Sequence, residues 1–219
     1  MRLATGAELR VTGSVGERAV VCVNGGQQRE VEGTWSASVE WLVHQLTPRL
    51  PQLAFAEVRY RVKSWNELES CMADTAATLD LAEELGTRRS LLVGFSMGGA
   101  VSIGVAAHET VTGVLGLAPW IPDALDLHGL AGKRLDVVHG AWDRWLPGVP
   151  GVSPASSRKG FRRAEALGVA GTYTVLERGL HGAAVRRRSG ELVRLPRWRA
   201  WVDQVDGALS RFAAEATPA

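Results

Sequence analysis

The stretch Leu91-Leu92-Val93-Gly94-Phe95-Ser96-Met97-Gly98-Gly99-Ala100 decides the fold. Three apolar residues run into Gly94-Phe95-Ser96-Met97-Gly98, and small and apolar residues continue behind it. That order predicts a buried strand, a very tight turn and the first turn of a helix. So tight a turn forces Ser96 into strained backbone geometry and needs glycine on both sides, where a side chain would clash. The strain pushes the hydroxyl out at the carboxyl end of the strand. The helix aims its free N–H groups and positive dipole end at the same spot. A lone Gly-x-Ser-x-Gly is a common pattern, and its strand-before, helix-after setting is what gives it content.

Working outward, Glu8–Thr12 and Arg18–Val23 read as two strands joined by Gly13-Ser14-Val15-Gly16, an antiparallel N-terminal hairpin. Ala19–Val23 is a continuous apolar run suited to a strand covered on both faces. It leads into Asn24-Gly25-Gly26-Gln27, a polar, glycine-rich loop whose backbone N–H groups can approach a ligand. Ser36 to Arg49 carries Val39, Leu42, Val43 and Leu46 at helical spacing, Phe55–Val62 reads as a strand, and Asn66–Gly86 as an amphipathic helix. Beyond Ser96, strands are expected at Val114–Ala118, Leu135–His139 and Thr172–Leu176, with helices near 156–167 and 198–212. Trp198, Trp201, Val202, Val205, Leu209 and Phe212 form an apolar stripe on the last helix, which reads as core packing. Strands alternating with helices imply right-handed crossovers and a mostly parallel sheet in a three-layer α/β/α sandwich. The expectation is one domain spanning residues 1–219, with its ligand site beyond the carboxyl ends of the strands.

The composition, 46% hydrophobic and 22% charged, is that of a globular protein. The net charge of +2 is unevenly placed: residues 156–219 hold 12 Lys and Arg against 6 Asp and Glu. No nucleic-acid recognition motif accompanies that basic end, so it reads as a solvated surface or a mildly basic rim to a site. Two cysteines, Cys22 and Cys71, fall in apolar or helical patterns and make no disulfide framework. No signal-peptide core opens the chain, and nothing approaches the ~20 apolar residues of a membrane span. The default expectation is a cytoplasmic protein acting on a small molecule, with neither nucleic acid nor membrane as partner.

A serine hydroxyl needs a base to take its proton. Of the five histidines, His181 in Glu177-Arg178-Gly179-Leu180-His181-Gly182 follows the last strand and falls at the same sheet edge as Ser96. An imidazole in that role needs an acceptor to hold its tautomer. Asp143, in His139-Gly140-Ala141-Trp142-Asp143-Arg144-Trp145-Leu146-Pro147, comes after a strand and is the favoured partner. Asp123 and Asp126 compete for that place, whereas Glu177 stands too close to His181 along the chain to turn back onto it.

The Ser96 turn, the His-Gly-x-x-Asp stretch of residues 139–143 and the Gly-x-His-Gly stretch of residues 179–182 together resemble the α/β-hydrolases, in the chain order Ser, Asp, His. The resemblance covers nearly the whole chain. It implies a serine hydrolase that forms an acyl-enzyme on Ser96 and then hydrolyses it, using no cofactor and no metal. It also implies an oxyanion hole made by the N–H of Met97 and one from the loop 24–27, with Gly26 the expected donor. The family's usual histidine at position 24 is Asn here, which unsettles the second donor more than the mechanism. Pro119 to Lys133 is too short to insert a cap domain, so the resemblance narrows to small, uncapped esterases, thioesterases and dienelactone-hydrolase-like members. Trp35, Trp120, Trp142 and Trp145 fall in predicted loops at strand ends and would line an aromatic pocket. Acyl transfer by the same triad and a non-catalytic binding protein of this fold are the alternatives.

Overall fold

The computed structural model describes residues 1–144 and 151–215 of the chain. In chain order the first strands are β1 (Glu8–Thr12), β2 (Arg18–Val23), β3 (Val31–Glu32), β4 (Ala54–Arg59), β5 (Val62–Lys63) and β6 (Arg89–Phe95). After them come β7 (Val111–Leu117), β8 (Arg134–Gly140), β9 (Ala170–Leu176), β10 (Ala184–Arg186) and β11 (Leu192–Arg194). The α-helices are α1 (Ala37–Leu46), α2 (Leu68–Glu84), α3 (Met97–Gly104), α4 (Pro154–Ala166) and α5 (Trp198–Ala214).

Seven strands build one sheet in the order β1-β4-β2-β6-β7-β8-β9. From β4 to β9 all neighbours are parallel, and only the edge strand β1 runs antiparallel. The partner of β1 is β4 rather than β2, so the expected antiparallel edge exists without the expected hairpin. The reason lies in the residues. In β2, Val20, Val21 and Val23 are wholly buried and Cys22 nearly so, which requires neighbours and helices on every side. Strand β1 carries Arg10 and Thr12 and is only half-buried, which suits an edge. Arg10 lies opposite Glu57 on β4 and donates two hydrogen bonds of 2.8 and 2.7 Å to its carboxylate, joining β1 to β4 by charge as well as by backbone.

Alternate residues of the strands feed two cores, as a parallel sheet covered on both faces requires. Val20, Cys22, Phe55, Val93, Leu115 and Val138 pack under α1 and α5, around the fully buried Trp201. Val21, Val58, Leu92, Val114 and Val137 pack on the opposite face with residues of α2, α3 and α4. The sandwich is therefore the expected one. The expected strands and helices are present, with β7 and β9 starting a few residues earlier than their patterns suggest, except that Phe55–Val62 is not one strand: β4 ends at Arg59 and Val62 turns into β5, which pairs with β3. Two short ribbons, β3 with β5 and β10 with β11, carry no sequence signal long enough to read. Between β7 and β8 the chain forms only a 3-10 turn at His128–Leu130, so no cap domain is inserted there. No helix among the described residues is long and apolar enough to cross a membrane.

Candidate active site

Strand β6 ends at Phe95 and α3 begins at Met97, leaving Ser96 alone as the turn. Its backbone sits at φ 55°, ψ −118°, a conformation L-residues seldom adopt, and the surroundings hold it there. The Ser96 N–H donates to Leu117 O at 2.9 Å, and Ser96 O accepts from the N–H groups of Gly99 and Trp120, both at 2.9 Å. A Cβ on Gly94 would stand 2.4 Å from Gly98 O, and one on Gly98 would stand 2.3 Å from Val23 O. Both glycines are thus demanded by close backbone approach, as the motif required.

The loop after β2 leans on this turn. A Cβ on Gly26 would stand 2.2 Å from Met97 Sδ, and one on Gly25 3.3 Å from the Ser96 Cβ. The backbone N–H groups of Gly26 and Met97 have no partner among the described residues. Asn24, almost fully buried, braces the loop. Its Nδ2 donates to Val58 O at 2.5 Å and to Thr34 O at 3.3 Å, and its own carbonyl accepts from the Tyr60 hydroxyl at 2.9 Å.

At the far side of the cleft, His181 Nδ1 donates to Asp143 Oδ2 at 2.6 Å. Asp143 is buried, and its second oxygen accepts the Val152 N–H at 3.2 Å. Asp123 pairs with Lys159 and Asp126 with His128, both far out in solvent, whereas Asp143 is the carboxylate in contact with His181. Asp143 has a further neighbour that the sequence did not single out as functional. His139, wholly buried on β8, brings Nε2 within 3.0 Å of the same Oδ2 and 2.8 Å of Val152 O. Facing two acceptors, Nε2 carries a proton. His139 Nδ1 meets Ser157 Oγ at 2.7 Å, and Ser157 Oγ meets the Tyr173 hydroxyl at 2.6 Å. Burial pushes the Asp143 carboxyl upward, but the hydrogen bonds from His139 and His181 outweigh it and hold the group below the usual carboxylate range.

Ser96 and His181 line one cavity of about 580 Å³, together with Gly25, Gly26 and Asn24. No hydrogen bond joins Ser96 Oγ to the imidazole here, and such bonds commonly tighten only when substrate is bound. The ring of His181 packs beside Phe95, with centroids 5.0 Å apart. Of the four tryptophans expected in the pocket, Trp35 and Trp120 line it. Trp142 does not. It is 54% exposed at the turn after β8, because Ala141 and Trp142 hydrogen-bond back to Leu176 and Gly179 and the indole projects outward. Trp145 lies outside the described residues. The wall also contains Trp65, whose ring lies 6.2 Å from that of Trp120, and Lys63. Both come from the chain around β5, whose ribbon sequence patterning does not reveal. Arg186 and Arg187, in the basic C-terminal part of the chain, pair with Glu40 and Glu191 on the surface. No cluster of three or more His, Cys, Asp or Glu side chains is placed to hold a metal among the described residues.

No family model and no curated protein matches the sequence. Solved structures do match the fold. A carboxylesterase of Lactobacillus plantarum superposes with a TM-score of 0.69 at 15% identity, over 99% of this chain and 96% of that one. Est1E of Butyrivibrio proteoclasticus, solved with ferulic acid bound, gives 0.67 at 15% identity over 98% and 100%. An α/β serine hydrolase without a lid from Xanthomonas campestris gives 0.65 at 16% identity over 100% and 95%. This chain has the α/β-hydrolase fold in its uncapped form.

Proposed function

We propose that the chain is a serine hydrolase that cleaves a carboxylic ester or thioester of a small, apolar or aromatic substrate. The observation that carries this is the 2.6 Å contact of His181 Nδ1 with Asp143, made by an imidazole that shares a cavity with the strained Ser96. With Nδ1 committed to Asp143, Nε2 of the neutral ring is the free base. Ser96 Oγ attacks the carbonyl carbon while its proton passes to His181 Nε2, and the C=O electron pair moves onto oxygen. That oxyanion is received by the N–H groups of Met97 and Gly26, which have no partner among the described residues, each such donor contributing about 2.7–4 kcal/mol. Collapse expels the alcohol or thiol, which takes the proton from His181. Water, deprotonated by the same ring, then releases the acid and regenerates Ser96. Asp143 stays ionised throughout and stabilises the imidazolium. The aromatic walls supplied by Trp35, Trp65 and Trp120 favour flat or apolar groups.

The test is active-site labelling with a fluorophosphonate, together with peptide mapping and a p-nitrophenyl ester series from acetate to long chains. The wild type should label at Ser96 and hydrolyse the short esters, and Ser96→Ala should do neither while remaining folded. Labelling at another residue, or none, would sink the proposal.

A further inference from the structure

The cavity wall holds one cation that the hydrolytic chemistry leaves unused. Lys63, on β5, is half-buried, and among the described residues it is the only Lys or Arg lining the cavity. Its neighbours along the same chain are all neutralised. Arg59 pairs with Glu8 at 2.8 Å and also with Glu32, and Arg61 pairs with the buried Asp74 at 2.8 Å. No carboxylate among the described residues lies within 4.0 Å of the Lys63 ammonium, and none lines the cavity. The ammonium instead donates to Thr34 Oγ1 at 2.6 Å. That hydroxyl therefore accepts from Lys63 and keeps its own O–H to donate, and it donates to no described residue. Thr34 is itself held in place, because its carbonyl accepts from Asn24, the residue that braces the Gly25–Gly26 loop. Two donors, one of them charged, thus stand side by side on the wall beside Trp65. Burial alone pushes the Lys63 ammonium below its usual range, the mark of a cation short of a counter-charge.

We propose that Lys63 and Thr34 form a carboxylate subsite, so that the preferred substrate is an aromatic ester carrying a carboxylate away from its scissile carbonyl. The inference rests on Ser96 being the nucleophile of this same cavity. Two adjacent donors match the two oxygens of a carboxylate, and the indoles of Trp65 and Trp120 offer a surface for the ring that bears it.

The test compares the ester 4-acetoxybenzoate with its neutral match 4-acetoxybenzamide, and repeats the pair with the charged group at the meta position. In the wild type the carboxylate-bearing ester should be favoured in kcat/KM by about tenfold at one ring position, as expected for a hydrogen bond to a charged group. Lys63→Met should bring that ratio to about one, and Lys63→Glu should invert it. Ester cleavage with no preference for the carboxylate-bearing members, or a preference that survives Lys63→Met, overturns the subsite while leaving the hydrolase intact. A second measurement does not depend on turnover. Calorimetric binding of 4-hydroxybenzoate to Ser96→Ala should be about tenfold tighter than to Ser96→Ala with Lys63→Met. Equal affinities would refute the subsite even if no ester were ever cleaved, an outcome that would separately defeat the proposed function.

Discussion

Replacing His139 with leucine isolates what the buried second histidine does for the candidate site. The side chain is fully buried and makes three polar contacts: Asp143 at 3.0 Å, Val152 O at 2.8 Å and Ser157 Oγ at 2.7 Å. Ser157 loses least, because it keeps the Tyr173 hydroxyl and Pro154 O within reach. Asp143 loses one of its charge-assisted donors, worth about 1.5–3 kcal/mol, and Val152 O is left without that donor at about 1–3 kcal/mol. The apolar surface of leucine returns part of this, so a net loss of about 3 kcal/mol is expected. For a chain of this size that lowers Tm by roughly 10 °C in a thermal melt. The pH dependence has a definite sign. A carboxyl held below its unfolded value of about 3.9 contributes stability that is complete above that value and lost as pH falls through the folded value. His139 is the largest of the influences lowering Asp143. Without it the folded value rises, and less stability is gained as pH climbs from below the folded value through the unfolded value of about 3.9. His139→Gln, whose amide can reach the place of Nε2, should restore most of both effects. A His139→Leu protein with wild-type Tm and an unchanged acid limb would refute this account of the contact.

Other contacts carry expected outcomes of their own. Ser96→Gly should be more stable than Ser96→Ala by about 1 kcal/mol, because only glycine relaxes at φ 55°; chemical denaturation reads this, and the reverse order would show the turn to be unstrained. Gly98→Ala drives a Cβ to 2.3 Å from Val23 O, so it should lower Tm by many degrees and abolish labelling at Ser96, whereas a well-folded, active variant would contradict the close approach. Asp143→Asn places an amide where one face must meet either the histidine donors or the Val152 N–H. It should cut kcat by about 10⁴-fold with a far smaller change in KM, measured on a p-nitrophenyl ester. Cys22 and Cys71 are both buried and burial raises both thiols, Cys71 to about 11, so a thiol reagent should find no reactive sulfhydryl in the native protein and two in denaturant.

By itself the sequence determined the features that short-range chemistry sets. The Ser96 turn, its two glycines, the alternating elements and the strand-end positions of Asp143 and His181 were all legible, because a parallel sheet puts every such loop on one edge. Local pattern could not state which strands pair. The Gly13–Gly16 link reads as a hairpin, yet β4 comes between β1 and β2, because the five consecutive buried residues of β2 need two sheet neighbours and half-polar β1 can serve only at an edge. Nor could it separate Trp142 from Trp120, since whether an indole points into a cleft depends on how its loop is pinned to another strand. Tertiary structure alone set Asp143, rather than Asp123 or Asp126, beside His181, and it alone set His139 against that carboxylate. It also carried the two-residue strand β5, with Lys63 and the neighbouring Trp65, to the wall of the cavity. These are contacts between residues far apart in the chain, and their energies come from burial and charge that no window of neighbouring residues contains.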